Sequence, residues 1–269
     1  MMQNIFDTHA HYCSRQFDAD REELLTALPQ GGVVGVLECA THSGDAPQVV
    51  ALAHQRPYFH AALGIHPESL IEEDAPTVAV YHGDWRAELE ALRPLFEDKA
   101  VVAVGEIGLD LFGDDPQFER QQWLLDEQLK LAKRYDLPVI LHSRRTHDKL
   151  AMHLKRHDLP CTGVVHGFSG SLQQAERFVQ LGYKIGVGGT ITYPRASKTR
   201  DVIAKLPLAS LLLETDAPDM PLNGFQGQPN RPEQAVRVFD VLCELRPEPE
   251  DEIAEVLLNN TYALFSVSG

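Results

Sequence analysis

Cysteine is scarce: Cys13, Cys39, Cys161 and Cys243 are the whole complement of the 269 residues, and no two stand at CxxC spacing. A zinc knuckle and a disulfide framework are therefore excluded, and the pattern fits a reducing, cytoplasmic setting. Long apolar runs are missing as well. No stretch approaches the roughly 18 consecutive apolar residues that span a bilayer. The opening MMQNIFDTHAH has no basic segment leading into an apolar one, so neither membrane insertion nor export is expected. Positive charge is in short supply, with 24 Lys and Arg against 39 Asp and Glu and a formal net charge of -15. Such a field repels polyanions at long range. It argues against broad coating of DNA while leaving room for an enzyme that takes one strand end into a cation-lined site. No low-complexity tract or linker interrupts the chain, there is no tandem repeat beyond a recurring β/α unit, and no obligatory protein partner is evident.

What remains is an ordinary globular composition, 43% apolar and 23% charged, on a chain long enough for one α/β barrel or two smaller domains. A single domain over residues 1–269 is expected. Eight short β-rich runs alternate with helical patterns: IFD near Ile5, VVGVLEC from Val33, FHAALGI from Phe59, VVAVGEI from Val101, PVILH from Pro138, GVVH from Gly163, KIGVGG from Lys184 and LLLET from Leu211. Strands separated by helices imply right-handed crossovers and a parallel sheet, and eight repeats favour a TIM-type (β/α)8 barrel. Gln117 to Tyr135 reads as a helix opened by Pro116, with Phe118, Leu125, Leu129 and Ala132 at helical spacing. PEPEDEIAEVLL places acids in a first turn, where the helix dipole favours them, and reads as the final helix.

Strand side chains alternate faces, so His9 and His11 in DTHAH point the same way, a chelating arrangement. Further metal-capable residues fall where other runs end: Glu106 in GEIGLD, His142 in ILHSR, His166 in VVHGFSG and Asp216 in LLLETDAP. In a (β/α)8 barrel these ends share one face, where the active sites of that fold are built. Imidazole and carboxylate together suit Zn²⁺, Mn²⁺, Fe²⁺, Co²⁺ or Ni²⁺, and the carboxylates keep Mg²⁺ open. Six ligands exceed what one open site needs, which favours two divalent ions bridged by a carboxylate and roughly 3.5–4 Å apart. His66, closing the third run in GIHP, and Arg144, following His142, are candidate substrate contacts. Arg145, Arg195, Lys198 and Arg200 form a possible phosphate-binding rim or a set of solvated loop charges. Glu214, of the same parity as Asp216, either orients a ligand or belongs to the barrel's interior packing. His42, His54, His60, His82, His147, His153 and His157 default to surface or packing roles.

DTHAH, GIHP, GEIGLD, LPVILHSR, HGFSG, ETDAP and NRP, in that order over nearly the whole chain, resemble the TatD family of metal-dependent hydrolases, and NNTYALF resembles its closing helix. The resemblance implies a TIM barrel, two divalent cations and, as in characterised relatives, deoxyribonuclease activity from the 3′ end. Carried over by position, His9, His11 and Asp216 would hold one ion, His142 and His166 the other, with Glu106 bridging. Two departures stand out: Glu68, where many relatives have a second His, and Arg145-Thr146, where an acidic residue is frequent. Both bear on nuclease action more than on metal binding. From about Val101 onward the wording resembles one branch of the family, whereas the first hundred residues look like another.

The preferred reading is hydrolysis of a phosphodiester, in DNA ends or a small molecule, by a water that two divalent cations activate. Asp216 accepts its proton, Glu106 serves both ions, and Arg144 and His66 position the phosphate. The same ions would polarise a carbonyl, leaving amide, ester or lactone hydrolysis as the alternative. A catalytically silent metal or nucleic-acid binding protein is the third reading, weakened by the complete ligand set and the acidic balance.

Overall fold

The computed structural model describes residues 2–70, 84–114 and 116–268, so His82 lies outside the described residues. All eight apolar runs are strands: β1 Ile5–Ala10, β2 Val33–Cys39, β3 Phe59–Leu63, β4 Val101–Asp110, β5 Val139–Arg144, β6 Gly163–Val165, β7 Lys184–Val187 and β8 Leu211–Leu213. The helices are α1 Arg21–Ala27, α2 Ala46–Gln55, α3 Trp85–Leu92, α4 Phe118–Tyr135, α5 His147–His157, α6 Leu172–Gln180, α7 Ser197–Lys205, α8 Ala235–Leu245 and α9 Glu250–Phe265. The strands follow one another in the order β1 to β8 and their ladders are parallel, which is the α/β, TIM-type (β/α)8 fold expected. Two compact units are distinguished, Met1–Glu38 with His166–Gly269, and Cys39–Val165. Among the described residues no helix is long and apolar enough to cross a membrane, and none of the four cysteines is in a disulfide.

In the first unit every residue of β1 is buried, so its polar side chains must find partners inside the protein. Asp7 accepts hydrogen bonds from Thr215 Oγ1 at 2.6 Å, Thr215 N at 2.9 Å and His9 N at 3.2 Å. Thr8 Oγ1 donates to Leu213 O at 2.8 Å. Backbone bonds continue the seam, Asp216 N to His9 O and His11 N to Ala217 O, each 2.8 Å. The end of β1 and the segment after β8 are thereby held side by side. On the far side of this unit Arg246 Nη1 donates to the carbonyls of Ile203 and Ala204 at 2.9 and 3.2 Å, satisfying orphan acceptors at the end of α7. α6 opens with a capping box between Ser171 and Gln174.

In the second unit α4 begins at Phe118, one residue later than its periodicity suggests, because Gln117 is left-handed at φ 52 and cannot continue a right-handed helix. Two buried glutamines seven residues apart on α4 face the strands. Gln121 pairs with both backbone groups of Asp110 at 2.8 and 2.9 Å, and Gln128 with both of Ile65 at 2.7 and 3.2 Å. The first fixes the end of β4, four residues past Glu106, and the second the residue before His66. α4 and α5 are joined through Asp126, which takes His153 Nδ1 and His157 Nε2 at 2.7 Å and Arg156 at 2.8 Å. Those two histidines have the packing role expected of them.

Glu88 of α3 is buried, and its Oε2 has no hydrogen-bond partner among the described residues. Burial pushes its carboxyl up from 4.5 to about 7, against the pull of a hydrogen bond from the Ser43 amide. Between those values the unfolded chain has released a proton that the folded chain still holds, so raising the pH favours unfolding. The loss begins near pH 4.5 and is complete above about 7; at about 1.4 kcal/mol per pH unit it comes to roughly 3.5 kcal/mol. Glu88→Gln is expected to remove this component. Urea midpoints at pH 5 and pH 8 should differ less in the variant than in the wild type, and an unchanged difference would refute the assignment.

Candidate metal centre

The end of β1 carries the first donor set. His9 Nε2 and His11 Nε2 lie 3.2 Å apart, and each is 3.3 Å from Asp216 Oδ1. Ligands held about 2.1 Å from one ion are separated by about 3.0 Å in octahedral and 3.4 Å in tetrahedral geometry. These three atoms therefore have the spacing and the chemistry of a divalent-cation chelate. His9 is fully buried, and His11 and Asp216 are partly buried. Asp216 adopts the left-handed region at φ 60, which turns the chain back at its 2.8 Å backbone bond to His9.

Neighbouring groups hold this set in place. The His166 ring stacks on His9 with centroids 3.8 Å apart and planes 7° from parallel. His166 Nδ1 is 3.5 Å from Glu214 Oε1, and the same carboxylate accepts the amide of Gly167. Glu214 thus fixes the turn after β6 that carries His166. Gly186 makes room for it: a Cβ there would meet Glu214 Oε2 at 2.5 Å. On the other side Glu38, at the end of β2, accepts the amides of Tyr12 and Cys13 at 2.9 and 3.0 Å, fixing the turn after His11. Burial pushes the Glu38 carboxyl up to about 7 and the Asp7 carboxyl likewise to about 7. Neither acid stood out in the sequence.

The second unit carries another donor set, within the later halves of β4 and β5 and just after β3. Glu106 Oε1 lies 3.1 Å from His66 Nε2 and 3.2 Å from His142 Nδ1. The other nitrogen of His142 is 2.6 Å from Asp110 Oδ2, so this imidazole stands between two carboxylates. Asp110 was missed by sequence reasoning, although its parity with Glu106 in GEIGLD could have flagged it. Burial alone would raise its carboxyl, but the His142 ring, the Phe112 amide and the Arg144 charge hold it below the usual value. His66, expected as a substrate contact, belongs by distance to the Glu106 and His142 set. Arg144 is 46% exposed, with Nη1 3.9 Å from Glu68 Oε1.

The rest of the expected basic rim is divided. Arg200 Nη1 donates to Ile191 O at 2.6 Å, a structural bond, whereas Arg195 lies over the Tyr193 ring at 5.2 Å. His54 pairs with Asp98 at 2.7 Å and His147 with Ser143 at 2.6 Å. His42 Nδ1 accepts the Gly44 amide at 2.9 Å, and burial lowers the His60 ring below its usual value.

This fold and these donor sets define a metal-dependent hydrolase, and a family model described as TatD related DNase matches residues 6–266. The chain belongs to the TatD family. It is 70% identical over 269 residues, 99% of this chain and all of the relative, to a protein of Escherichia coli strain K12 named "Uncharacterized metal-dependent hydrolase YjjV". The likeness to this branch thus spans the first hundred residues as well as those from Val101 onward. The crystal structure of the Escherichia coli YjjV protein, a TatD homologue, superposes with a TM-score of 0.92 at 69% identity, covering 100% of both chains. A "3'-5' ssDNA/RNA exonuclease TatD" of Erwinia amylovora is 32% identical, covering 98% of this chain and all of that one.

Proposed function

We propose that residues 1–269 act as one catalytic domain that hydrolyses phosphodiesters, in DNA ends or a small phosphodiester, with two divalent cations. The observation that carries this reading is the His9, His11 and Asp216 triad, three donor atoms 3.2–3.3 Å apart. The exonuclease name borne by relatives at about one-third identity supports the bond type. In this reading His9, His11 and Asp216 hold one ion, His142 and His166 the other, and Glu106 serves both, as the family's pattern implies. Zinc, manganese, nickel, cobalt, iron and magnesium are all compatible with imidazole and carboxylate donors. Divalent cations, when bound, activate a water and offset charge growing on phosphoryl oxygens.

The chain's own groups do the remaining work. Asp216 takes the proton released by the attacking water. Asp110 holds the His142 ring through Nε2, leaving Nδ1 toward Glu106. The Arg144 guanidinium, a planar fork that matches phosphate oxygens, positions the substrate, and His66 steadies Glu106. The test is side-by-side turnover of a nitrophenyl phosphodiester, single-stranded DNA and a dihydroorotate-like amide, each with a panel of the metals named above. Cleavage of the first two and not the third is expected. The reverse order would transfer the chemistry to amides, and binding of DNA without cleavage under any metal would leave a binding protein.

A further inference from the structure

Among the described residues the large apolar side chains most exposed are Met2, Phe112, Met152 and Met220, and Phe112, at 52%, is the single aromatic of that group. It stands two residues beyond β4, beside the second donor set. Its amide donates to Asp110 Oδ1 at 2.8 Å while Asp110 Oδ2 lies 2.6 Å from His142 Nε2, so one carboxylate ties the ring's backbone to a candidate ligand. Leu111 N bonds to Arg144 O at 3.0 Å, joining the exits of β4 and β5. The Arg144 guanidinium carbon sits 3.5 Å from the Phe112 ring centre and that of Arg145 5.0 Å from it.

A guanidinium stacked on an aromatic ring keeps its N–H edge free to point outward, and Glu68 Oε1, at 3.9 Å, is beyond hydrogen-bond length. An apolar ring beside an outward-facing cationic edge is the pairing that single-stranded nucleic acid needs: the first stacks a base, the second meets a phosphate. Solvated rim charges alone would not call for an exposed phenyl ring at this point.

We infer that Phe112 and Arg144 form a platform on which a nucleobase of the substrate stacks while the Arg144 edge pairs with an adjacent phosphate. The inference rests on the phosphodiesterase reading and narrows it to base-bearing single strands, as opposed to phosphodiesters without bases. Stacking of this kind tolerates any base, because each offers a flat face.

The test compares two single-stranded DNAs of equal length, one with normal bases and one with abasic residues at its 3′ end, in steady-state assays of the metal-loaded enzyme. The wild type is expected to show a KM roughly tenfold lower for the base-bearing strand. Phe112→Ala and Phe112→Leu should erase the KM difference between the two strands, and Phe112→Trp should keep the preference. Equal KM values in the wild type, or a preference that survives Phe112→Ala, would overturn the platform and leave the phosphodiesterase reading intact. Failure to cut either strand with any metal would overturn the platform, and only if the nitrophenyl phosphodiester were also left uncut would the phosphodiesterase reading fall with it. Because Phe112 is exposed, unchanged thermal midpoints should confirm that all three variants fold.

Discussion

Asp216→Asn is expected to lower phosphodiesterase kcat by about 10²–10⁴, the usual contribution of a positioned general base. The substitution is nearly isosteric, which isolates the charge. Asp216 sits at φ 60, and its amide donates to His9 O at 2.8 Å. Asn is one of the few residues that enter the left-handed region readily, so the turn after β8 should survive. What disappears is the one negatively charged member of the triad, whose oxygen lies 3.3 Å from both His9 Nε2 and His11 Nε2. An amide oxygen can still approach a cation but cannot accept a proton at neutral pH. Metal content by elemental analysis, taken alongside kcat, separates the two roles: a filled site with lost turnover supports proton transfer, and an empty site supports ligation alone. Full turnover with the metals bound would show that Asp216 is neither the base nor needed for charge.

Much of this centre can be read from strand parity. His9 and His11 share a face because two residues is the strand period, and the ends of the eight runs locate Glu106, His142, His166 and Asp216 before any coordinates. Groups outside that logic were harder to see. Glu38 acts through the amides of Tyr12 and Cys13, and Asp7 through Thr215, 208 residues away. Neither interaction leaves a local signature, since burial of an acid is decided by distant partners. Asp110 belonged to a motif already noted but lies two strand periods past Glu106, and its meeting with His142 depends on the β4–β5 register that sets it against Arg144. The start of α4 likewise turns on one left-handed residue, Gln117, whose side chain gives no strong preference for that conformation. The apolar pattern thus located the strand exits. Side chains that orient those exits required three-dimensional register.

That register has a weak point at Gly108, and Gly108→Ala is expected to destabilise the protein by roughly 4 kcal/mol, combining strained backbone with overpacking. Gly108 pairs with His142 across the β4–β5 ladder at φ 154, a value that L side chains rarely adopt. A Cβ there would come within 1.9 Å of the His142 carbonyl oxygen and 2.8 Å of its carbon. Both are main-chain atoms of a central strand, so no side-chain rotation relieves the clash and β5 itself must move. A thermal midpoint lower by roughly 10 °C is the expected reading for a chain of this size. The same displacement carries the His142 ring away from Glu106 Oε1, now 3.2 Å from Nδ1, so metal affinity should fall with stability. Gly113→Ala is the matched control, because a Cβ at that position meets nothing within 4 Å. If Gly108→Ala melted at the wild-type temperature, the tight β4–β5 approach would not be what fixes His142. Equal losses in both variants would instead point to chain flexibility near β4 as the cause.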